Sequence, residues 1–150
     1  MVVGPVVAFL EGEGTDARGR TLFQVLAMND VAIEHTHDFI QWLFPLPEPS
    51  AAAPEAPVLT PGEVQAIRVS ELAPLALAAA TDRMASFYGS THDWLMPNDH
   101  NHRRITRIIR SLRLLAGDAE ADAFRAFIMA RVEATRAPIS ARSLGYWATA

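Results

Sequence analysis

Two short stretches carry most of the side chains in this chain that could do chemistry. The first is Glu34-x-x-His37-Asp38. Glu-x-x-His is the spacing of the ligand pair in carboxylate di-metal helix bundles, where residues three apart share one helix face. Such a centre needs a second copy and two further carboxylates, and the sequence holds no second Glu-x-x-His. His37-Asp38 is also the type of dyad that metal-dependent phosphohydrolases use, with His92, Asp93, Asp99, His100 and His102 able to supply further ligands. On a helix, His35 and His37 would point about 200° apart and could not hold one ion together. A metal-dependent hydrolase built on His37, Asp38 and the His92–His102 region is therefore an alternative reading, not the leading one.

The second stretch is His-Asn-His-Arg-Arg-Ile-Thr-Arg-Ile-Ile-Arg-Ser-Leu-Arg-Leu-Leu, from His100 to Leu115. Placed about 100° apart, Ile105, Ile108, Ile109, Leu112 and Leu115 fall on one side. Arg103, Arg107 and Arg110 fall opposite, with Arg104 and Arg113 on the flanks. Burying five large aliphatics contributes about 1.5–3 kcal/mol each, so this is a core helix whatever its arginines do. Five guanidinium groups on one helix repel unless anions answer them. Carboxylates of a neighbouring helix are the first expectation, and Glu34 and Asp38 are the natural candidates. A surface for an acidic protein, a phosphate or a ligand carboxylate comes second. Nucleic acid comes last, because no aromatic interleaving or groove-reading motif accompanies the charge.

The elements that must position these residues read as helices. Periodicity predicts helices over Pro5–Leu10, about Thr21 to Met28, and about Val31 to Phe44, where Pro45 stops the third. On that third helix Glu34, His37, Asp38 and Gln41 would form one narrow polar stripe among Ile33, Phe39, Ile40, Trp42, Leu43 and Phe44. Residues 46–60 contain Pro47, Pro49, Pro54 and Pro57 and read as an ordered strap, with Val58 and Leu59 tucked onto the core. Thr60-Pro61-Gly62-Glu63 is a capping box with proline at the first helical position, so a short helix follows. Further helices are expected from Ser70–Pro74 to about Tyr88, from about Asn101 to Ala116, and from Asp118 to Arg136. Ser140 to Trp147 reads as a last turn or short helix. The fold class is all-α: a single compact bundle of about seven helices in one domain, 1–150, with a Pro-rich connecting strap.

Composition narrows the chemistry. There is no cysteine, which excludes disulfides and cysteine-ligated zinc. All thirteen basic residues are arginine, which excludes lysine Schiff bases and a phosphate-loop lysine. A net charge of −4 argues against wholesale nucleic-acid binding while allowing a local basic patch. No run reaches the ~18 apolar residues of a membrane span, and no basic stretch precedes the apolar N-terminus as in a signal peptide. A cytoplasmic location is the default, and nothing specifies an oligomeric state. No nucleophile elbow, phosphate loop, dinucleotide glycine pattern or His-Glu-x-x-His motif is present. The sequence makes no positive case for catalysis and implies no cofactor.

The run His-Asp-Phe-Ile-Gln-Trp-Leu-Phe-Pro-Leu, residues 37–46, together with the His100–Leu115 run, resembles the conserved domain of the opioid growth factor receptor family. The resemblance extends through Phe9–Gly12, Gly19-Arg20-Thr21, Ala56-Pro57-Val58-Leu59, Phe87-Tyr88-Gly89 and Trp94 with Pro97. It implies an all-α domain and kinship with receptors for an opioid pentapeptide that inhibits growth. Larger members carry further repeats and basic targeting signals. Those are not found before Ala150, so neither signalling nor nuclear localisation is expected of this chain. The resemblance carries over no catalytic residue and no established peptide contact.

The expectation is thus a non-enzymatic module for a peptide or partner protein. Glu34 or Asp38 would take a peptide amine, and Arg103, Arg107 or Arg110 its carboxylate. His37, Gln41, Trp94, His100 and His102 complete the candidate ligand-binding set. Trp42, Phe44, Phe87 and Tyr88 are read first as core.

Overall fold

The computed structural model describes residues 4–150. Among them are nine helices and no strand: α1 (Pro5–Leu10), α2 (Leu22–Leu26), α3 (Asp30–His35), α4 (Ile40–Leu43), α5 (Pro61–Val69), α6 (Ala73–Ser90), α7 (His100–Leu115), α8 (Asp118–Thr135) and α9 (Ala141–Thr149). The all-α expectation holds. The helix number rises above seven because the predicted Val31–Phe44 helix is two helices, and because Ala141–Thr149 is a full helix. The chain forms two compact units, Met1–Ala80 and Thr81–Ala150.

In the N-terminal unit, helix starts are encoded locally. The Thr21 and Thr60 side chains each accept the amide of the third helical residue, and the Gln24 and Glu63 side chains accept the cap residues' own amides in return. Asn29 caps α3 through the Ala32 amide at 2.8 Å. The core gathers Phe9, Leu10, Ile33, Phe39, Leu43 and Phe44, all about fully buried, and Phe9 meets Trp42 edge-on at 5.6 Å. The strap is tied down where the Leu59 amide donates to the Leu46 carbonyl at 3.0 Å. Leu59 is buried as expected. Val58 is not: it is 45% exposed, because successive residues of an extended segment face opposite ways.

The C-terminal unit is built on α7, which packs against both α8 and α9. Ile105, Ile108, Ile109 and Leu112 are buried, as the helical spacing requires. Asp99 caps α7 by accepting the Asn101 amide at 3.0 Å. Beneath it, Tyr88 stacks edge-on with Phe87 and Trp94 at 5.1 and 5.2 Å, and its hydroxyl donates to Asn101 Oδ1 at 3.2 Å. α8 ends with Arg136 in the left-handed region, φ 54° and ψ 37°, before Pro138 prevents continuation.

Position 136 favours glycine, which enters that region without the steric cost an arginine Cβ incurs. Arg136→Gly should raise stability by about 0.5–1 kcal/mol, read as a shift of the urea midpoint at unchanged slope.

Candidate functional site

In the N-terminal unit, the His37-Asp38 segment is not helical. Thr36 is extended, at φ −106° and ψ 124°, and α3 and α4 flank a break over residues 36–39. The single polar stripe expected of Glu34, His37, Asp38 and Gln41 is therefore corrected. Glu34 is half-buried on α3, His37 and Asp38 lie in the break, and Gln41 is on α4. Gln41 is buried, and its Nε2 donates to the His37 carbonyl at 3.2 Å. The helical premise that kept His35 and His37 apart falls with the stripe.

Asp38 pairs with arginines the sequence reading overlooked. Arg18 Nε donates to one carboxylate oxygen and Arg20 Nη2 to the other, each at 2.8 Å. Arg20 is itself fixed by Asp16, whose side chain is fully buried, through an Nε–Oδ2 bond of 2.6 Å. Asp16 Oδ1 also accepts the amides of Arg18 and Arg20 at 2.9 Å. The expected partnership of Asp38 with the later arginine helix is replaced by this ladder within the first eighty residues. Burial by itself would raise the Asp38 pKa. The hydrogen bonds and charges of Arg20, then Arg18, outweigh that and hold it below the ordinary carboxylate value. A carboxylate with an arginine on each oxygen is a poor docking point for a peptide amine or a metal ion. A cleft of about 570 Å³ beside the ladder is bordered by Arg18, His35, His37 and Glu55.

The C-terminal unit holds an open groove of about 650 Å³ between α7 and α9. From α7 come Arg103, Thr106 and Arg110, spaced three and four residues apart on one face. From α9 come Arg142, Ser143 and Tyr146, and Asp99 and His100 close one end. Arg142 lies 5.8 Å from the centroid of the Tyr146 ring, which is half exposed. Among the described residues, neither Arg103 nor Arg142 has a carboxylate partner.

His102 fastens this groove together. Its Nε2 lies 2.8 Å from the Trp94 carbonyl, which can only accept, so Nε2 carries the proton. Nδ1 then accepts from the Ser143 hydroxyl at 2.8 Å. Trp147 stacks edge-on against the imidazole at 5.3 Å and donates its Nε1–H to the His102 carbonyl at 3.1 Å. One ring nitrogen thus ties α7 to the segment before it and the other ties α7 to α9. Ser143 is buried, and its oxygen also accepts from Ser140 Oγ at 3.2 Å, while Ser140 caps α9 by accepting the Ser143 amide at 3.1 Å.

The candidate residues thus divide. The groove brings together His100, His102, Arg103 and Arg110. Trp94 is fully buried beneath it, its Nε1 donating to the Tyr88 carbonyl at 3.1 Å. Arg107 is half-buried, and Arg104 is buried with Nη1 3.4 Å from Asn101 Oδ1. Arg113 is paired with Asp122 and Asp118 at 2.8 and 2.9 Å, which raise its pKa. His92 Nε2 lies 3.3 Å from Arg131 Nη2. Of the five α7 arginines, Arg103 and Arg110 are thus the ones exposed beside the groove. Sequence reading missed Arg142 and Tyr146; their only local signal is the four-residue spacing that puts both on one face of α9.

Residues 20–150 match the model of the opioid growth factor receptor conserved region. The chain belongs to that family. It is 35% identical over 99 residues to the opioid growth factor receptor of Rattus norvegicus, covering 53% of this chain and 17% of the relative. The Mus musculus receptor is likewise 35% identical over 99 residues, covering 53% of this chain and 15% of the relative. The match spans about a sixth of each relative's length. No solved structure matches. Both the Asp16–Arg20 pair's arginine and the groove fall within the opioid growth factor receptor region, and among the described residues no helix is long and apolar enough to cross a membrane.

Two outcomes follow from this geometry. A carboxylate whose folded pKa is lowered contributes stability above its unfolded value and loses it as pH falls through the folded one. Asp38→Asn should therefore cost roughly 1 kcal/mol at neutral pH. Its difference from the native chain should shrink once pH drops below the ordinary 3.8, as read by urea unfolding at several pH values. Trp147→Phe removes a buried donor and should cost about 1–3 kcal/mol. It should speed hydrogen exchange in α9 before α8.

Proposed function

We propose that this chain is a non-enzymatic binding domain whose α7–α9 groove receives an acidic group of a peptide or partner protein. The observation that carries the reading is the pair Arg103 and Arg142. They reach one groove from two helices, and neither has a carboxylate partner among the described residues. Guanidinium groups bind carboxylates in two-point geometry, each charge-assisted hydrogen bond contributing about 1.5–3 kcal/mol.

A carboxylate of a short peptide can meet Arg103 and Arg142 together, with an aromatic side chain on Tyr146. The amine role first expected of Glu34 or Asp38 is not assigned to the groove, because its Asp99 carboxylate caps α7. The rat and mouse relatives are named as receptors for an opioid growth factor, and that name supports a peptide ligand.

Titration calorimetry with the opioid pentapeptide, free and C-terminally amidated, tests the reading. Amidation should weaken binding about tenfold or more, equivalent to about 1.4 kcal/mol. The exposed-site double variant Arg103→Glu/Arg142→Glu should abolish binding while helix content is retained. Equal affinity for both peptide forms and an unaffected double variant would sink the proposal.

A further inference from the structure

We infer that the anion best matched to the α7–α9 groove is a phosphomonoester, borne by a peptide or free as phosphate, and not a single carboxylate. The inference rests on the binding role proposed for this groove and narrows its ligand chemistry.

Arg103 on α7 and Arg142 on α9 both border the groove, and neither is neutralised by a carboxylate among the described residues. The Asp99 carboxylate is not available to them: one oxygen accepts the Asn101 amide and side-chain Nδ2, each at 3.0 Å, and the other lies 3.8 Å from His100 Nδ1. One ligand carboxylate brings a single negative charge and two oxygens. It can bridge two guanidiniums, as Asp38 bridges Arg18 and Arg20, but it neutralises only one of their two charges. A phosphomonoester brings about −1.5 to −2 charges at neutral pH and three acceptor oxygens. It can answer two guanidiniums approaching from different helices at once.

Thr106 lies between Arg103 and Arg110 on the α7 face and donates its proton to the His102 carbonyl at 3.0 Å, so the donors left to an anion on this wall are the guanidiniums. Tyr146, beside Arg142, adds an exposed ring face, which suits a phosphate carried on an aromatic side chain. All-arginine donors also match the planar, two-point recognition that phosphate oxygens permit.

The test uses the full chain and three amidated, N-acetylated pentapeptides that differ only in a central phosphotyrosine, tyrosine or glutamate, with orthophosphate as a fourth probe. Fluorescence anisotropy should show the phosphotyrosine peptide at least tenfold tighter than the glutamate peptide. Arg103→Gln and Arg142→Gln should each reduce that preference to less than threefold, with circular dichroism reporting an intact fold. Orthophosphate competing as well as the phosphopeptide, mole for mole, would assign the site to free phosphate; much weaker competition assigns it to a peptide-borne group. Equal binding of the glutamate and phosphotyrosine peptides overturns the inference while leaving the acidic-peptide reading intact. A phosphate preference that survives both substitutions also overturns it, since the anion would then sit elsewhere. Loss of every peptide, glutamate included, would instead remove the underlying binding role.

Discussion

The imidazole of His102 is held by contacts on both nitrogens and on its own carbonyl, and the C-terminal unit is organised around it. A backbone carbonyl fixes the tautomer at Nε2, which leaves Nδ1 able to accept only. Ser143 must then present its hydroxyl as donor, and that sets the rotation of α9 about its axis. With this rotation Trp147 turns inward, while Arg142 and Tyr146 turn toward the α7 arginines. The charged groove is thus a by-product of an apolar and hydrogen-bonded clamp beneath it. Energetically the clamp dominates, because a fully buried indole with its N–H satisfied outweighs the repulsion between exposed guanidiniums.

A similar logic governs the N-terminal unit, with the roles of polar and apolar groups exchanged. There a fully buried carboxylate, Asp16, collects two backbone amides and one guanidinium, and the guanidinium in turn reaches Asp38. Burying a charge is tolerated only when it is paired and hydrogen-bonded, and Asp16 meets that condition on both oxygens. The ladder ties the turn before α2 to the break between α3 and α4. The same contacts that make Asp38 a structural anchor remove it from ligand recognition.

Much of the helical architecture is written in residues a few positions apart. Thr60-Pro61-Gly62-Glu63 specifies the start of α5, Asp99 the start of α7, and the isoleucines of α7 its buried side. The break at 36–39 was not legible in this way. Ile33, Ile40, Leu43 and Phe44 keep apolar residues coming through the segment, while the partners of Asp38 in the break are a pair of arginines about twenty residues upstream. The groove was half legible: Arg103 and Arg110 follow from helical spacing, but Arg142 and Tyr146 join them through long-range contacts of His102 with Ser143 and Trp147, forty-one and forty-five residues away. Trp94 misled for the reverse reason. An aromatic beside histidines suggests a cleft, yet its indole N–H finds a carbonyl six residues back and the ring is buried.

That Arg103, Arg110 and Arg142 carry the guanidinium charge of the groove has a consequence for control. A guanidinium keeps its proton across the whole biological pH range, and lysine acetylation has no target on a chain without lysine. The guanidinium charge in the groove is therefore a constant of the molecule, out of reach of the commonest charge-removing modification. As far as these arginines are concerned, occupancy is set by the partner's own charge state and by ionic strength, and the ligand is the variable.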